Sequence, residues 1–448
     1  MRMEKRTNVF LISLGCAKNT VDSENMLGIL KSKGFGLAST IEAAEIVVIN
    51  TCGFIGDAVE EAIDTILEVV SLKAQGLVSR VVVTGCFVQR YGYKLLREIP
   101  EVDGWLGTGE LHRVADLMTC NATNGSKPFI IGRPTYLADH TVPRVRTMPR
   151  YSAYLKVAEG CAHKCSYCII PSLRGPFRSR SIESLIRETE QMVDHGAREI
   201  NLIAQDTTMY GKDLGQKNHL EDLLERMVDL NGIRWIRLLY CHPQGISSRL
   251  LDHIETEEVL CPYLDVPQQH VSEKILKAMG RGSDGESPWE LVERLRSRKR
   301  RISLRTTLMV GFPGETAEDF AELCDFVRMA EFDHLGVFTF SSEQGTAAAR
   351  FEQSVTPEEA KRRLDMIMGI QADISKRLNQ QIVGNTVPVL VEGLSPETEL
   401  LLQGRTATMA PDVDSRVLIN KGEGLAGEIM PVLIKEAYAY ELVGEIEE

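Results

Sequence analysis

The amino-acid sequence predicts an α/β protein built from three successive parts. The first two parts alternate apolar, β-branched runs with helical stretches, which is typical of parallel sheets covered by helices. The last part has short apolar runs separated by Gly and Pro, which is typical of an all-β module. A chain of 448 residues is also too long for one hydrophobic core. We therefore expect a parallel α/β domain, a partial (β/α)6 TIM-like barrel and a small OB-like β-barrel, in that order.

Changes in composition set the predicted domain boundaries. A stretch rich in Asn, Gly, Ser and Pro begins at NATNGSKPFIIGRP and continues to TVPRVRTMPR, and it indicates a linker. In chain order the predicted parts are the N-terminal domain 7–121, the linker 122–146, the central barrel 147–379 and the C-terminal barrel 380–448.

In the N-terminal domain, three predicted strands each end shortly before or at a cysteine. The runs are VFLISLGC, EIVVINTC and RVVVTGC, and their cysteines are Cys16, Cys52 and Cys86. Open α/β sheets bind ligands beyond the carboxyl ends of their strands, so the three thiols are predicted to converge. Each cysteine by itself could simply pack in a core. Their repeated position favours a shared metal instead, whereas Cys120 is interpreted as structural.

The central part contains six predicted strands separated by helices. The strands are SAYLKV, EINLIA, RWIRLLY, PYLDV, LRTTLMV and LGVFTF. The clearest helix start combines Thr356 as cap, Pro357 in the first turn and Glu359 as a capping-box acid. Chemistry in such barrels lies at the carboxyl ends of the strands. The first strand leads directly into a cluster of cysteines, which is therefore predicted to lie at the active site.

That cluster reads EGCAHKCSYC and contains Cys161, Cys165 and Cys168. Iron–sulfur clusters are usually held by four thiolates, so three would leave one iron with an open position. An open position distinguishes a catalytic metal site from a structural one. The alternative is structural zinc held by Cys161, His163, Cys165 and Cys168. Structural zinc sites more often split their ligands into two separated pairs, and the barrel mouth also favours the cluster.

The spacing Cys-xxx-Cys-x-Tyr-Cys resembles the signature of the radical S-adenosylmethionine (SAM) superfamily. The resemblance implies that SAM chelates the open iron, that Tyr167 lies beside the adenine and that Gln205 lies near the SAM amino group. INLIAQD and TTLMVGFPGETAEDF resemble the second and fifth strands of that superfamily. The GFPGE turn lacks the Lys-Ser/Thr pair of a P-loop, so nucleotide hydrolysis is rejected.

The whole chain resembles the methylthiotransferase family, whose members combine a three-cysteine N-terminal domain, a radical SAM barrel and a TRAM domain. The resemblance implies that Cys16, Cys52 and Cys86 hold a second cluster, which gives two 4Fe–4S clusters in total. It further implies replacement of an unactivated C–H bond by C–S–CH₃, which requires radical cofactor chemistry. SAM would serve both as radical source and as methyl donor, and a sulfur donor and a one-electron reductant would be needed.

Two branches of this family differ in substrate. One modifies an aspartate of small-subunit ribosomal protein twelve, and the other modifies N6-isopentenyladenosine in transfer RNA. IIPSLRG, AQDTTMYG and GRTATMAPDVDSRVLIN resemble the ribosomal branch. Residues 380–448 contain twelve acidic and four basic side chains, within a chain of net charge −12. RNA binding needs basic residues, so a basic ribosomal protein is the predicted partner and transfer RNA the alternative, although an acidic surface can also serve only solubility.

The remaining cysteines and the N-terminus suggest no further site. Cys261 and Cys324 are interpreted as packing residues, and Cys241, at the end of a barrel strand, is favoured as a core thiol while a site role stays open. The apolar stretch from Val9 to Leu14 is too short for a secretion signal, and no run approaches membrane-spanning length. We expect a cytoplasmic protein with reduced thiols and no membrane partner.

Overall fold

The computed structural model describes residues 6–119, 127–215, 219–282 and 285–447. Within them, a six-stranded sheet, a second six-stranded sheet and a closed five-stranded barrel follow one another along the chain. This order confirms the predicted fold class. The interpretation of Cys120 as structural lies outside the described residues. No helix in the described residues has the length and apolarity to cross a membrane.

The N-terminal sheet is parallel throughout and is covered by helices on both faces. Its strands, in spatial order, are Gly36–Leu37, Asn8–Ser13, Ile46–Thr51, Arg80–Gly85, Gly104–Leu106 and Phe129–Ile130. Its α-helices are Ala17–Ser32, Gly56–Ala74, Cys86–Tyr91, Leu95–Glu98 and Val114–Thr119. The three strands predicted to end near cysteines are therefore direct neighbours, which brings their carboxyl ends together.

Part of the predicted linker 122–146 belongs to this sheet instead. Phe129–Ile130 pairs in parallel with Gly104–Leu106 and forms the edge of the sheet. The Phe129 side chain packs against the hydrophobic core of the N-terminal sheet. Burial of this apolar surface favours a sheet strand at this position over a solvent-exposed linker.

The central sheet has its six parallel strands in sequential order, as expected for a partial barrel. The strands are Ser152–Lys156, Glu199–Ile203, Trp235–Leu238, Leu260–Asp265, Ser303–Val310 and His334–Thr339. Its α-helices are Ile170–Arg174, Ile182–Asp194, His219–Val228, Ser248–Thr256, Glu273–Ala278, Pro288–Arg296, Ala317–Ala330 and Pro357–Gln380. Alternate side chains of the strands pack under these helices in the largest hydrophobic core.

The start of the last barrel helix differs from the prediction in one respect. Thr356 caps the helix by accepting a hydrogen bond from the Glu359 backbone N–H, and Pro357 occupies the first turn. The Glu359 carboxylate, however, pairs with Arg362 and Arg363 one turn later. The capping-box role of Glu359 is therefore wrong, because two guanidinium groups bind its carboxylate.

The C-terminal part, with its short apolar runs separated by Gly and Pro, forms a closed barrel of five strands. Its strands are Thr386–Ser395, Thr398–Thr406, Arg416–Lys421, Ile429–Ala437 and Glu441–Ile446. Charged residues interrupt the last strand, ELVGEI, so its apolar pattern is weak. It closes the barrel by pairing with Arg416–Lys421 and Ile429–Ala437.

The loop after Thr406 packs into the amino-terminal half of the central barrel. The Arg237 guanidinium donates to the Ala407 carbonyl at 2.8 Å, and the Tyr263 hydroxyl donates to the Asp414 carboxylate at 2.7 Å. Arg405 pairs with buried Glu199 at 2.8 Å. The GRTATMAPDVDSR stretch thus connects the C-terminal barrel to the strands of the central barrel.

Candidate active site

Cys16, Cys52 and Cys86, called here the N-terminal trio, lie at the carboxyl ends of three neighbouring strands. Cys16 is the N-cap residue of the helix Ala17–Ser32, and Cys86 begins the helix Cys86–Tyr91. Gly15 has a φ of +93°, and a Cβ there would approach the Cys52 Cβ to 2.9 Å. Only glycine allows this turn and this close approach. The convergence that the strand ends predicted is therefore present.

Cys161, Cys165 and Cys168, called here the barrel trio, lie on a single loop after the first barrel strands. The backbone N–H of Cys161 donates to the Gly175 carbonyl, and that of Cys168 to the Cys165 carbonyl, both at 3.1 Å. Gly160 precedes the loop with a φ of +82°, and a Cβ there would lie 2.1 Å from the Pro176 carbonyl oxygen. Each trio thus begins after a glycine that turns the chain into the site.

Two buried cations, Lys18 and Arg174, act on the thiols of the N-terminal trio against the effect of burial. Burial opposes ionisation of the Cys16 thiol, but Lys18 and Arg174 outweigh it and lower the pKa of Cys16. Burial raises the pKa of Cys86 to about 12, although the charge of the nearby Arg174 guanidinium acts in the opposite direction. Burial also raises the pKa of Cys52. These thiols need a cation, either from the protein or from a bound metal, to ionise together.

Arg174 belongs to a buried ion network that joins the two trios. It ends the helix that follows the barrel trio, and it is 3% exposed. Its guanidinium donates to the Asp22 carboxylate at 2.6 Å and to the Asn19 side chain. The Lys156 ammonium binds the same Asp22 and also Glu159, the latter at 2.7 Å. Two cations and two carboxylates therefore neutralise each other between the central barrel and the N-terminal domain.

A second contact holds the Cys52 loop against the barrel. Glu343, which follows the last barrel strand, accepts from the Gly56 backbone N–H at 3.0 Å and pairs with Arg90 at 2.5 Å. Arg90 in turn donates to the Gly53 carbonyl at 2.9 Å. The loop around Cys52 is therefore fixed from the barrel side.

The barrel trio has fewer charged neighbours. Burial raises the pKa of Cys161 and raises that of Cys168 to about 12. The cation that acts on both thiols is Arg281, whose guanidinium lies 3.9 Å from the Cys165 sulfur. The neutral thiols are thus favoured until a metal or cluster supplies positive charge.

His163, which lies between the first two cysteines of the barrel trio, is directed away from them. Its Nε2 lies 2.6 Å from the Asp206 carboxylate, and its ring stacks on His242 with centroids 4.0 Å apart. Among the described residues, His163, Asp206 and His242 form the one group compact enough for a single metal ion, and neither cysteine trio does. These contacts disfavour the Cys₃His zinc alternative, because zinc needs its four ligands around one point.

Comparison with known proteins assigns the parts of the chain. Residues 8–107 match the Uncharacterized protein family UPF0004, residues 155–327 match the Radical SAM superfamily and residues 383–446 match the TRAM domain. The ribosomal protein uS12 methylthiotransferase RimO of Pelobacter propionicus is 44% identical over 448 residues, the full length of both chains. That of Geobacter sulfurreducens is 45% identical over 441 residues, or 98% of this chain and 99% of the relative. The chain belongs to the ribosomal protein uS12 methylthiotransferase family.

Solved structures agree with this family in fold. A radical SAM methyltransferase from Kitasatospora setae, TsrM, aligns with a TM-score of 0.54 at 15% identity, covering 85% of this chain and 79% of its own. The cobalamin-dependent radical SAM enzyme OxsB aligns with a TM-score of 0.51 at 11% identity, covering 82% of this chain and 56% of its own. Because residues 155–327 match the Radical SAM superfamily, the chain is a radical SAM enzyme, and enzymes of this superfamily use an iron–sulfur cluster and SAM.

The two residues predicted to contact SAM lie next to the barrel trio. Gln205 donates from Nε2 to Glu159 at 2.9 Å, and its buried Oε1 has no hydrogen-bond partner in the described part of the chain. A free buried acceptor suits a bound ammonium group such as the SAM amino group. Tyr167 is partly buried against the cluster formed by Ile275, Met279, Phe312 and Ala348. These surroundings fit SAM, and the specific contacts stay predictions.

Several polar side chains of the site carry no recognised sequence motif. Lys18, Asn19 and Asp22 are buried although they lie in the first turns of a helix. The signal was available in KNTVDSEN, where polar residues occupy positions that a buried helix face usually fills with apolar ones. Sequence reasoning read this helix only as a connection between strands and missed the residues around Cys16.

The three other described cysteines are packing residues, as predicted. Cys241 and Cys324 lie in the main barrel core, and Cys261 lies in the cluster on the inner face of the barrel. Burial raises the pKa of Cys241 well above its ordinary value, so its thiol stays neutral.

Proposed function

We propose that this protein attaches a methylthio group to the β-carbon of an aspartate in ribosomal protein uS12. The observation that carries the proposal is the full-length similarity to relatives named for that reaction, at 44–46% identity. The transfer-RNA reaction, the alternative from the sequence, has no comparable support. A ribosomal substrate also places the reaction in the cytoplasm.

We assign one 4Fe–4S cluster to each trio. Each offers three thiolates, which leaves one iron open to SAM at the barrel trio and to a sulfur species at the N-terminal trio. When bound, these groups supply the electron that cleaves SAM, the radical that removes hydrogen and the methylated sulfur that replaces it. A one-electron reductant and a sulfur donor are required from outside the chain.

The side chains around the trios position these groups and balance their charge. Gln205 accepts from the SAM amino group, and Tyr167 packs beside the adenine. Arg174 offsets the negative charge of the N-terminal thiolates, as its buried position beside Cys86 favours.

The acidic C-terminal barrel is proposed as the contact surface for basic uS12. Not all of its acids are available, because Asp414 binds Tyr263 and Arg305 of the central barrel. Asp412 is engaged too, because its carboxylate accepts from the Tyr154 hydroxyl at 2.8 Å. The other exposed acidic residues are Glu397, Glu399, Glu423, Glu428, Glu436 and Glu447. Complementary charge would steer and select a basic protein, and the contact would weaken with salt.

Mass spectrometry of ribosomes from a deletion strain tests the function. The uS12 aspartate should lose the methylthio mass, a wild-type gene should restore it and a C165A gene should not. Methylthiolated transfer-RNA nucleosides should stay unchanged. Loss of the mass only from a transfer-RNA nucleoside, with uS12 unaffected, would overturn the proposal in favour of the transfer-RNA reaction.

A further inference from the structure

Lys18 is a buried cation beside the N-terminal trio that lacks a carboxylate partner. It is 8% exposed, and its ammonium lies 3.2 Å from the centroid of the Tyr240 ring. In the described part of the chain no Asp or Glu forms an ion pair with it, and the neighbouring charged groups that act on it are the Cys16 thiolate and the Arg174 guanidinium. Buried lysines are rare without a paired anion. The surroundings of Lys18 therefore suit an anion that arrives with a ligand.

The neighbouring cations show the contrast. Lys156, also buried, binds two carboxylates, and Arg174 binds Asp22 at 2.6 Å. Lys156 and Arg174 are paired within the ion network, whereas no ion pair in the described residues includes Lys18. Lys18 instead rests on an aromatic face, which holds a cation without neutralising it.

Lys18 also lies in the place where a substrate must meet both trios. Tyr240 follows the strand Trp235–Leu238 at its carboxyl end, with a left-handed φ of 59° fixed by its N–H bond to Asp265 at 3.0 Å. Two residues later, His242 stacks on His163 of the barrel-trio loop. The short segment 240–242 thus extends from the Lys18 ammonium to the barrel trio. Cys16 and Tyr240, the two neighbours of the Lys18 ammonium, are each partly exposed.

We propose that the Lys18 ammonium binds the carboxylate of the uS12 aspartate that receives the methylthio group. This inference rests on the proposed function. The reacting β-carbon is bonded directly to the carboxyl carbon, so a fixed carboxylate also fixes the C–H bond to be replaced. Because Lys18 is two residues from Cys16, the same contact places that carbon next to the sulfur-delivering trio. The ammonium makes an aspartate, rather than a neutral side chain, the preferred substrate.

The test compares binding of two uS12 proteins to the reconstituted full-length holoenzyme by calorimetry. One is natural uS12, and the other carries asparagine at the target aspartate, which keeps the shape and removes the charge. The wild type should prefer the aspartate form by about ten- to hundred-fold, the range expected of a charge-assisted hydrogen bond. K18M should lose that preference, and K18R should retain most of it. K31M, which removes an exposed charge from the same helix, should behave as the wild type.

Three results would overturn the inference. The first is a K18M holoenzyme that still prefers the aspartate form by the wild-type factor. The second is equal binding of both uS12 forms by the wild type. The third is K18M protein that loses iron in reconstitution while K18R does not, since Lys18 would then serve only the thiolates. A separate measurement tests the proposed function itself. That function fails if the wild-type enzyme binds uS12 but leaves the mass of uS12 unchanged.

Discussion

The two cysteine trios reach a similar arrangement by different routes. The barrel trio lies on one loop of eight residues, Cys161 to Cys168, while the N-terminal trio gathers three strand ends that are separated by more than thirty residues each. The loop can form its site from local backbone bonds. The N-terminal trio depends on sheet register and on contacts from the central barrel, through Arg174 and Glu343.

The electrostatics of the trios differ as well. Lys18 and Arg174 lower the pKa of Cys16 against the effect of burial, whereas burial prevails at Cys161 and Cys168. Within the N-terminal trio the protein's own cations thus favour the thiolate at Cys16, while burial prevails at Cys52 and Cys86 as it does in the barrel trio. This difference suits two tasks, since one trio is proposed to deliver sulfur next to an anionic substrate and the other to reduce SAM.

The largest expected effect is at the barrel trio. C165A should abolish both 5′-deoxyadenosine formation and methylthio transfer, because the barrel trio is proposed to hold the cluster that reduces SAM. Iron should fall from about eight to about four atoms per chain. Iron analysis and product chromatography after anaerobic reconstitution measure both. C324A, at a buried packing thiol, is the matched control and should keep full iron; a C165A enzyme that still forms 5′-deoxyadenosine contradicts the assignment.

A smaller effect is expected from removing the cation shared by the two regions. R174Q leaves Asp22 and the thiolates of the N-terminal trio without their guanidinium partner. Breaking such a buried network costs about 3–5 kcal/mol in the free energy of unfolding. Urea denaturation of the apo-protein measures this cost.

The same variant separates the trios in reconstitution. Reconstituted R174Q protein should contain less iron at the N-terminal trio than the wild type, while the barrel trio keeps its iron and the protein still cleaves SAM. R187Q, at an exposed arginine, is the control for both measurements. Equal stability of R174Q and R187Q would show that the network has no such role.

The smallest effect concerns thiol reactivity in the apo-protein. The thiolate is the reactive form, and the lowered pKa of Cys16 extends that form to lower pH than the raised pKa of Cys161 allows. Iodoacetamide labelling between about pH 6 and 9, read by peptide mass spectrometry, should modify Cys16 at lower pH than Cys161. K18M should shift the Cys16 profile to higher pH. Coincident profiles for the two thiols in the wild type would remove the electrostatic distinction.

Sequence patterns predicted the features that depend on local order. Apolar runs located the strands, and the rule that parallel strand ends meet at one sheet edge correctly grouped Cys16, Cys52 and Cys86. The spacing of Cys161, Cys165 and Cys168 indicated a cluster loop. The predicted linker 122–146 includes the strand Phe129–Ile130, whose pairing with the sheet edge its composition did not indicate.

Contacts between domains could not be predicted in this way. Nothing local in KNTVDSEN states that Asp22 meets Lys156 or that Lys18 lies on Tyr240, since those partners are more than a hundred residues away. The same holds for Asp414, which counted toward an acidic surface but binds inside the central barrel. The net charge of residues 380–448 predicted an acidic C-terminal barrel, but it could not show which of the carboxylates lie on the surface of that barrel.

Iron analysis and SAM cleavage in the triple variant C16A/C52A/C86A test the division between the trios most directly. We predict about four irons per chain instead of about eight, continued formation of 5′-deoxyadenosine and no methylthiolated uS12. A triple variant with the iron content and the uS12 turnover of the wild type would contradict a second cluster at the N-terminal trio.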